Sequence, residues 1–430
     1  MAEVRPFKGL SYDTGKVGGD YASVVAPPYD VISDKMRDEL YEKNAYNIIR
    51  LILGKSIEGD NDKHNKYTRA GQLVAEWQDQ NILLKDKSES FYVYTQEYEY
   101  DGKVYNRIGF FGLMKIEDPG ERSVIPHEYT LAKPKEDRMN LIKQVKGNLS
   151  PIFVLFEDNG AAVSDIIKKE ISSSKPLIDI EVNGETHKIW RVSDPEAIKN
   201  ISSQMKGKKV YIADGHHRYE VAMVYRNMQR EKPDYDGSAD YVLMYFTDMT
   251  GNAADNSLTV VATHRAIKEI QVKEDEIAGK LGKYFDVEEC GDIGELLKRL
   301  KEATAKDHFF GYFGGNRYLI IKLKNEGLFQ ELISDKKSLE WKCLDVSILH
   351  SGIFKNLLGL KEEEGNITYV KDPVEAEALV KEGSHAAAFF LNPTRVEQIK
   401  AVAEKGDMMP QKSTYFYPKL LSGLVINKFA

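Results

Sequence analysis

The chain is poor in cysteine: Cys290 and Cys343 are its only two among 430 residues, far apart and without a Cys-x-x-Cys pair. That argues against a disulfide framework and against a thiolate metal centre, and it fits a reducing cytoplasm. No run of eighteen apolar residues occurs, so no membrane span is expected. The opening residues Met1–Phe7 lack the apolar core of a secretory leader. Positive charge is not in excess either. Sixty Lys+Arg against 67 Asp+Glu leave a net charge of −7, which works against non-specific affinity for nucleic acid. Repeats and low-complexity tracts are missing. So are the usual cofactor signatures. His127-Glu128 has no histidine four positions after His127, Gly54-Lys55-Ser56 lacks the earlier P-loop glycine because position 49 is Ile49, and the glycines at 311, 314 and 315 lack Rossmann spacing. No zinc, flavin or NAD is expected.

What is present is ordinary globular material, 42% hydrophobic and 30% charged, long enough for two or three domains. The richest stretch is 208–225. A short apolar strand stops at Asp214-Gly215, and a helix opening on His216, His217 and Arg218 follows at once. Glycine permits a tight turn and close approach. A helix N-terminus offers N–H groups and partial positive charge to an anion, and Arg adds a fork suited to phosphate. The unit reads as a phosphate-handling site. A zinc site is the rival, but neighbouring helical residues point about 100° apart, so His216 and His217 are poorly placed to share one ion.

Along the chain, Val24–Ala26 reads as a strand before a double-proline turn, with Ser33 capping a helix marked by Met36, Leu40 and Tyr41. Helical spacing recurs over Tyr67–Trp77, and a hairpin is expected over 91–111 across Asp101-Gly102. Residues 112–150 are more polar. Apolar strands follow at 152–156 and 241–246, a helix at 162–172, and a short hairpin at Asn183-Gly184. Beyond about Lys268 come charged helices at 274–283 and 293–303, a hairpin at 314–316, a helix at 343–358 and a β/α/β tail. The expected fold is mixed α/β (α+β), divided into an N-terminal segment 1–115, a core 116–267 and a separate C-terminal α/β domain 268–430.

Other clusters admit two readings each. Glu128, beside His127 in a proline-bounded segment, is a candidate general base or a solvated loop acid. Lys135, Asp137 and Arg138 could bind phosphate or a substrate carboxylate, or simply begin a charged helix. Tyr29 and Asp30 could touch substrate or form a rigid turn. Arg265 could meet a second phosphate or an ion pair at a strand end. Lys412, Ser413 and Thr414, followed by Tyr415, Tyr417 and Lys419, could clamp a nucleotide or form a partly buried strand.

Several segments resemble the recurrent text of a prokaryotic family, domain-of-unknown-function family 1015 (DUF1015). They are Arg5–Leu10, Ala26–Ile32, Asn47–Leu51, Pro126–Thr130, Lys135–Arg138, Ser150–Ile152, Ala213–Glu220, Thr263–Arg265 and Met409–Lys419. The Asp-Gly-His-His-Arg turn also resembles the nucleotide motif of the ParB/sulfiredoxin superfamily. ParB proteins bind DNA and hydrolyse a nucleotide through an arginine-rich box. Sulfiredoxin places a nucleophilic cysteine where this chain has His216, so its thiol chemistry has no nucleophile here. Free-serine kinase carries the same five residues. That resemblance implies a ParB/sulfiredoxin-like core with an N-terminal elaboration, binding ATP or ADP with Mg²⁺. It implies phosphoryl transfer to a small hydroxylated metabolite, free L-serine first. Asp214 would hold the metal, Gly215, His216, His217 and Arg218 would cradle phosphates, and His127, Asp214 and His216 would join Glu128 in catalysis. A phosphoserine-type phosphatase using the same cradle, or a non-catalytic nucleotide sensor, remains open beside the kinase. The expected partners are a small substrate and a nucleotide, with no nucleic acid or membrane; the oligomeric state stays open.

Overall fold

A computed structural model describes residues 2–118, 120–250, 257–325, 327–360 and 365–429. They form two compact units. The first takes 1–126, 130–258 and 418–430; the second takes 127–129 and 259–417.

The first unit is built on a mixed nine-stranded sheet. From one edge the strands run Val124–Ile125, Val210–Asp214, Ile152–Phe156, Tyr241–Asp248, Lys103–Lys115, Phe91–Tyr100, Glu185–Val192 and Ile178–Val182, with Val4–Arg5 pairing onto Lys103–Lys115. Val124–Ile125 with Val210–Asp214, and Ile152–Phe156 with Tyr241–Asp248, are the parallel pairs; the other ladders are antiparallel. The hairpin Phe91–Lys115 turns where Asp101 and Gly102 both take positive φ, the geometry a two-residue turn needs to match strand twist. Backbones crowd at its centre: a Cβ on Gly109 would lie 2.3 Å from the Phe246 carbonyl oxygen. The core beneath the sheet is aromatic and aliphatic, with Phe91, Phe110, Val154, Met244 and Phe246 fully buried.

Helices Ala162–Ser172 and Pro195–Met205 feed Val163, Ile167, Ile201 and Met205 into that core. Asp194 caps the second of these, whose first residue is proline. Helix Lys66–Asp79 starts from an Asn65 capping box with Thr68. The helix Ala132–Val145 contains the charged helix start that was one of two readings of Lys135, Asp137 and Arg138; Pro134 stands in its first turn, where no intrahelical N–H is lost. Val24–Ala26, read as a strand, follows the short helical turn Tyr21–Ser23 and makes one antiparallel bridge, Ala26 to Ser422. The Val24 amide closes that turn on the Tyr21 carbonyl and only Ala26 exchanges hydrogen bonds with Ser422, so no ladder forms.

The second unit holds a wholly antiparallel six-stranded sheet, ordered Phe285–Cys290, Tyr318–Leu323, Phe309–Phe313, Ala387–Leu391, His264–Ile267 and Ile367–Val370. Helices Ile293–Leu300 and Pro373–Lys381 pack on it through Leu296, Leu300, Ala376 and Val380. The helix expected over 343–358 is a short α-turn, Asp345–Ser347, continuing as a π-helix over Ile348–Leu357. The protein is therefore a mixed α/β protein with one large mixed sheet and one separate antiparallel sheet. Among the described residues no helix is long and apolar enough to cross a membrane.

Candidate functional site

Strand Val210–Asp214 is buried up to its last residue, and its ladder with Ile152–Phe156 shifts register between Ile212 and Asp214. Gly215 then takes φ +98°, and a Cβ there would stand 3.0 Å from the Arg218 guanidinium. Glycine is thus required twice, for the backbone angle and for the side chain folded over it. Helix His216–Arg230 begins without a side-chain cap and buries His216, Tyr219, Ala222 and Tyr225.

Arg218 turns back one helical turn and donates from Nη2 to Asp214 Oδ2 at 2.6 Å, while Nη1 donates to the Pro151 carbonyl. The other carboxylate oxygen, Oδ1, accepts from Lys419 Nζ. The three side chains are only 12–14% exposed. Burial by itself would raise the Asp214 carboxyl, but Lys419, Arg218 and nearby His216 outweigh it and hold the group well below the carboxylate range.

Lys419 is fixed through its backbone. Arg107 Nη2 donates to the Pro418 carbonyl at 2.5 Å, and Gln96 Nε2 donates to the Lys419 carbonyl at 3.1 Å. Arg107 and Gln96 are fully buried, face each other across the hairpin and are hydrogen-bonded together.

Around the helix start, His217 Nε2 accepts from the Leu131 amide at 2.9 Å, which assigns its ring proton to Nδ1. One turn on, Glu220 accepts from Thr130 Oγ1 and, at 2.9 Å, from Lys135 Nζ. Burial opposes ionisation of Glu220, yet these donors keep its carboxyl below its ordinary value. Arg138 lies 3.9 Å above the Tyr29 ring, donates to the Ile52 carbonyl at 2.8 Å and pairs with Asp137. Asp137 also takes Tyr67 Oη at 2.7 Å and Lys66 Nζ at 3.0 Å. These contacts overcome burial and put its carboxyl at about 2. Tyr29, Arg138 and Arg218 line one cleft. Asp30 is exposed beside them in sequence, on the short helical turn Tyr29–Val31.

The remaining candidates belong to the second unit. His127 is buried, its Nε2 3.0 Å from Thr414 Oγ1, and its carbonyl accepts from the Met409 amide at 2.8 Å. Half-buried Glu128 bridges to Met409. Arg265 is 1% exposed, its Nε 3.1 Å from His350 Nε2 and its Nη2 3.2 Å from the Lys412 carbonyl. Lys412 has positive φ, and Ser413 Oγ donates to the Pro410 carbonyl at 2.5 Å. The loop Pro410–Thr414 is thus met by the His127 ring at Thr414 Oγ1 and by the Arg265 guanidinium at the Lys412 carbonyl.

Asp214 does not fit the part of a direct magnesium ligand in this arrangement, because each of its oxygens already holds a cation. Among the described residues no group of three or more His, Cys, Asp or Glu is placed to hold a metal. The donor set does suit an anion: two cations share one carboxylate at a helix N-terminus. Sequence reasoning missed Arg107, Gln96 and Glu220 and did not connect Lys419 to Asp214. An arginine in the middle of an otherwise apolar strand was the available signal for the first of these.

The first 347 residues carry the family assignment: the family model described as protein of unknown function (DUF1015) matches residues 4–347. No curated protein matches the sequence. Solved structures give distant likenesses. Free serine kinase in complex with AMP is 15% identical with a TM-score of 0.32, over 68% of this chain and 83% of that one. A mutant of that kinase in complex with ADP gives the same identity and score, over 68% and 84%. SbnI with a C-terminal truncation, from Staphylococcus aureus, is 11% identical with a TM-score of 0.34, over 73% and 85%. With the family model spanning most of its length, the chain belongs to the DUF1015 family.

Proposed function

We propose that the protein binds a nucleotide polyphosphate at the Asp214–Arg218 turn and moves a phosphoryl group between it and a small hydroxylated metabolite. Free L-serine is the acceptor that the motif resemblance names. The observation that carries this reading is the trio in which Arg218 and Lys419 flank Asp214 at the start of a helix. Phosphoryl transfer is mostly positioning and charge compensation. Arg218 supplies a planar fork and Lys419 a point charge, while Asp214 orients both and makes their burial tolerable. Gly215 lets backbone approach the ligand, and the helix dipole adds to the field. No step is assigned to a metal held by Asp214. No base is assigned: Glu128 and His127 belong to the second unit.

Calorimetry with ATP and ADP, with and without magnesium, tests the binding half, and no heat with either would end the reading. Following phosphorylated product with L-serine and other acceptors tests the transfer half. Both oxygens of Asp214 are already committed to cations, which favours a second reading, a nucleotide sensor without turnover. Tight binding with no product from any acceptor would select it.

A further inference from the structure

Strand pairing in the first unit gathers three lysines from segments far apart in the chain. Lys85 ends the strand Leu83–Lys85 opposite Leu10, whose amide and carbonyl exchange hydrogen bonds with Ile426 at 2.9 Å. Two residues on, Lys428 lies opposite Gly147, and the Phe429 amide donates to the Lys146 carbonyl at 2.9 Å. Gly147 lets these strands close, because a Cβ there would lie 2.6 Å from the Asn427 carbonyl oxygen. Lys146 caps the C-terminal end of helix Ala132–Val145 with a left-handed φ of 46°. Lys428 is half-buried, and Lys85 and Lys146 are exposed.

Among the described residues none of the three ammonium groups is paired with a carboxylate. Burial and the like charges of Lys146 and Lys85 push the Lys428 amine below the ordinary lysine range, with no acid acting against them. Cations do gather at helix C-termini, but the dipole there is worth only about half a negative charge. Three full positive charges exceed it, so most of the repulsion is uncompensated. Ammonium groups are compact point charges that suit a rounded oxyanion. The chain's net charge of −7 works against an extended polyanion. We infer that Lys85, Lys146 and Lys428 bind a small, multiply charged anion of the phosphate class. The site is separate from the Asp214–Arg218 turn. Helix Ala132–Val145 meets that turn at its start, where the Leu131 amide reaches His217 and Lys135 reaches Glu220. Its fourteen residues carry Lys146 about 20 Å away. The inference does not depend on the phosphotransferase reading.

The test is pulse acetylation of lysines on the intact protein, read peptide by peptide by mass spectrometry. Pyrophosphate, ADP and sodium chloride are compared at matched ionic strength. A bound anion shields the amines it touches. Labelling of Lys85, Lys146 and Lys428 should slow together, by about tenfold once free ligand exceeds its dissociation constant about tenfold. Lys103, exposed at the turn of the long hairpin, should label unchanged. Lys428→Gln should weaken the shielding of Lys85 and Lys146 about tenfold, through one lost charge-assisted contact. Slowing by pyrophosphate alone upholds the inference with free phosphate as the ligand; slowing by ADP upholds it with a nucleotide's phosphate tail. Equal slowing by sodium chloride, slowing confined to one of the three lysines, full shielding in Lys428→Gln, or no slowing by either phosphate compound overturns it. Lys419, read in the same digest, reports on the phosphate turn. Shielding of the three lysines with Lys419 unchanged would uphold this site while counting against the phosphotransferase reading, and shielding of Lys419 alone would do the reverse.

Discussion

Lys419 Nζ and Asp214 Oδ1 form a buried ion pair between residues 205 positions apart in the chain. Removing either member should be felt differently. Asp214→Asn leaves two buried cations facing a neutral amide and should cost about 3–5 kcal/mol of stability, read from urea unfolding.

Lys419→Met is the complementary test. Asp214 keeps Arg218, so the fold should survive, while a bound phosphate loses one charge-assisted contact of about 1.5–3 kcal/mol. Nucleotide affinity by calorimetry should therefore fall at least about tenfold. An unchanged affinity would take Lys419 out of the site.

Gln96 acts at one remove. Gln96→Ala strips a donor from the Lys419 carbonyl and an acceptor from Arg107, leaving buried groups unpaired at about 1–3 kcal/mol. Stability should drop and nucleotide affinity with it, and Gln96→Glu should restore the acceptor for Arg107 but not the donor to Lys419.

Gly215→Ala should weaken nucleotide binding more than it weakens the fold. The positive φ costs about 1–3 kcal/mol for a residue with a Cβ, and the added methyl group meets the Arg218 guanidinium. Parallel melting and binding curves separate the two effects.

Two buried histidines set an acid limit. Burial, aided by the charge of Arg107, pushes the His187 imidazole down to about 4; burial with Arg265 does the same to His264. In the unfolded chain both titrate near 6.5. Between those values the unfolded state binds protons that the native state does not, so stability falls as pH drops from about 6.5 to 4. His187→Asn, which keeps a hydrogen-bonding group beside Tyr94 Oη, should remove about 3 kcal/mol of the stability lost by pH 4.

The strand–glycine–helix unit at 210–230 was legible because everything that builds it is local: an apolar run, an obligatory glycine and helical spacing after it. The hairpin around Asp101-Gly102 was legible for the same reason. Helix Ala132–Val145 was legible only as one of two readings, because its first turn holds a proline and no capping side chain, and its apolar face is narrow. Val24–Ala26 looked like a strand because apolar β-branched residues signal burial as much as pairing. Lys419 was visible as part of a motif, but nothing near it in sequence names Asp214 as its partner. That pairing is a product of tertiary topology, set by the carbonyl contacts from Gln96 and Arg107.

The return of residues 418–430 to the first unit carries a consequence for biosynthesis. On the ribosome, the Gly147–Asn148 edge waits for Asn427–Lys428, and Asp214 waits for its ammonium partner, until the whole intervening second unit has been translated. The ion pair between Lys419 and Asp214 therefore closes late, after the strand and helix that carry Asp214 and Arg218 have been made.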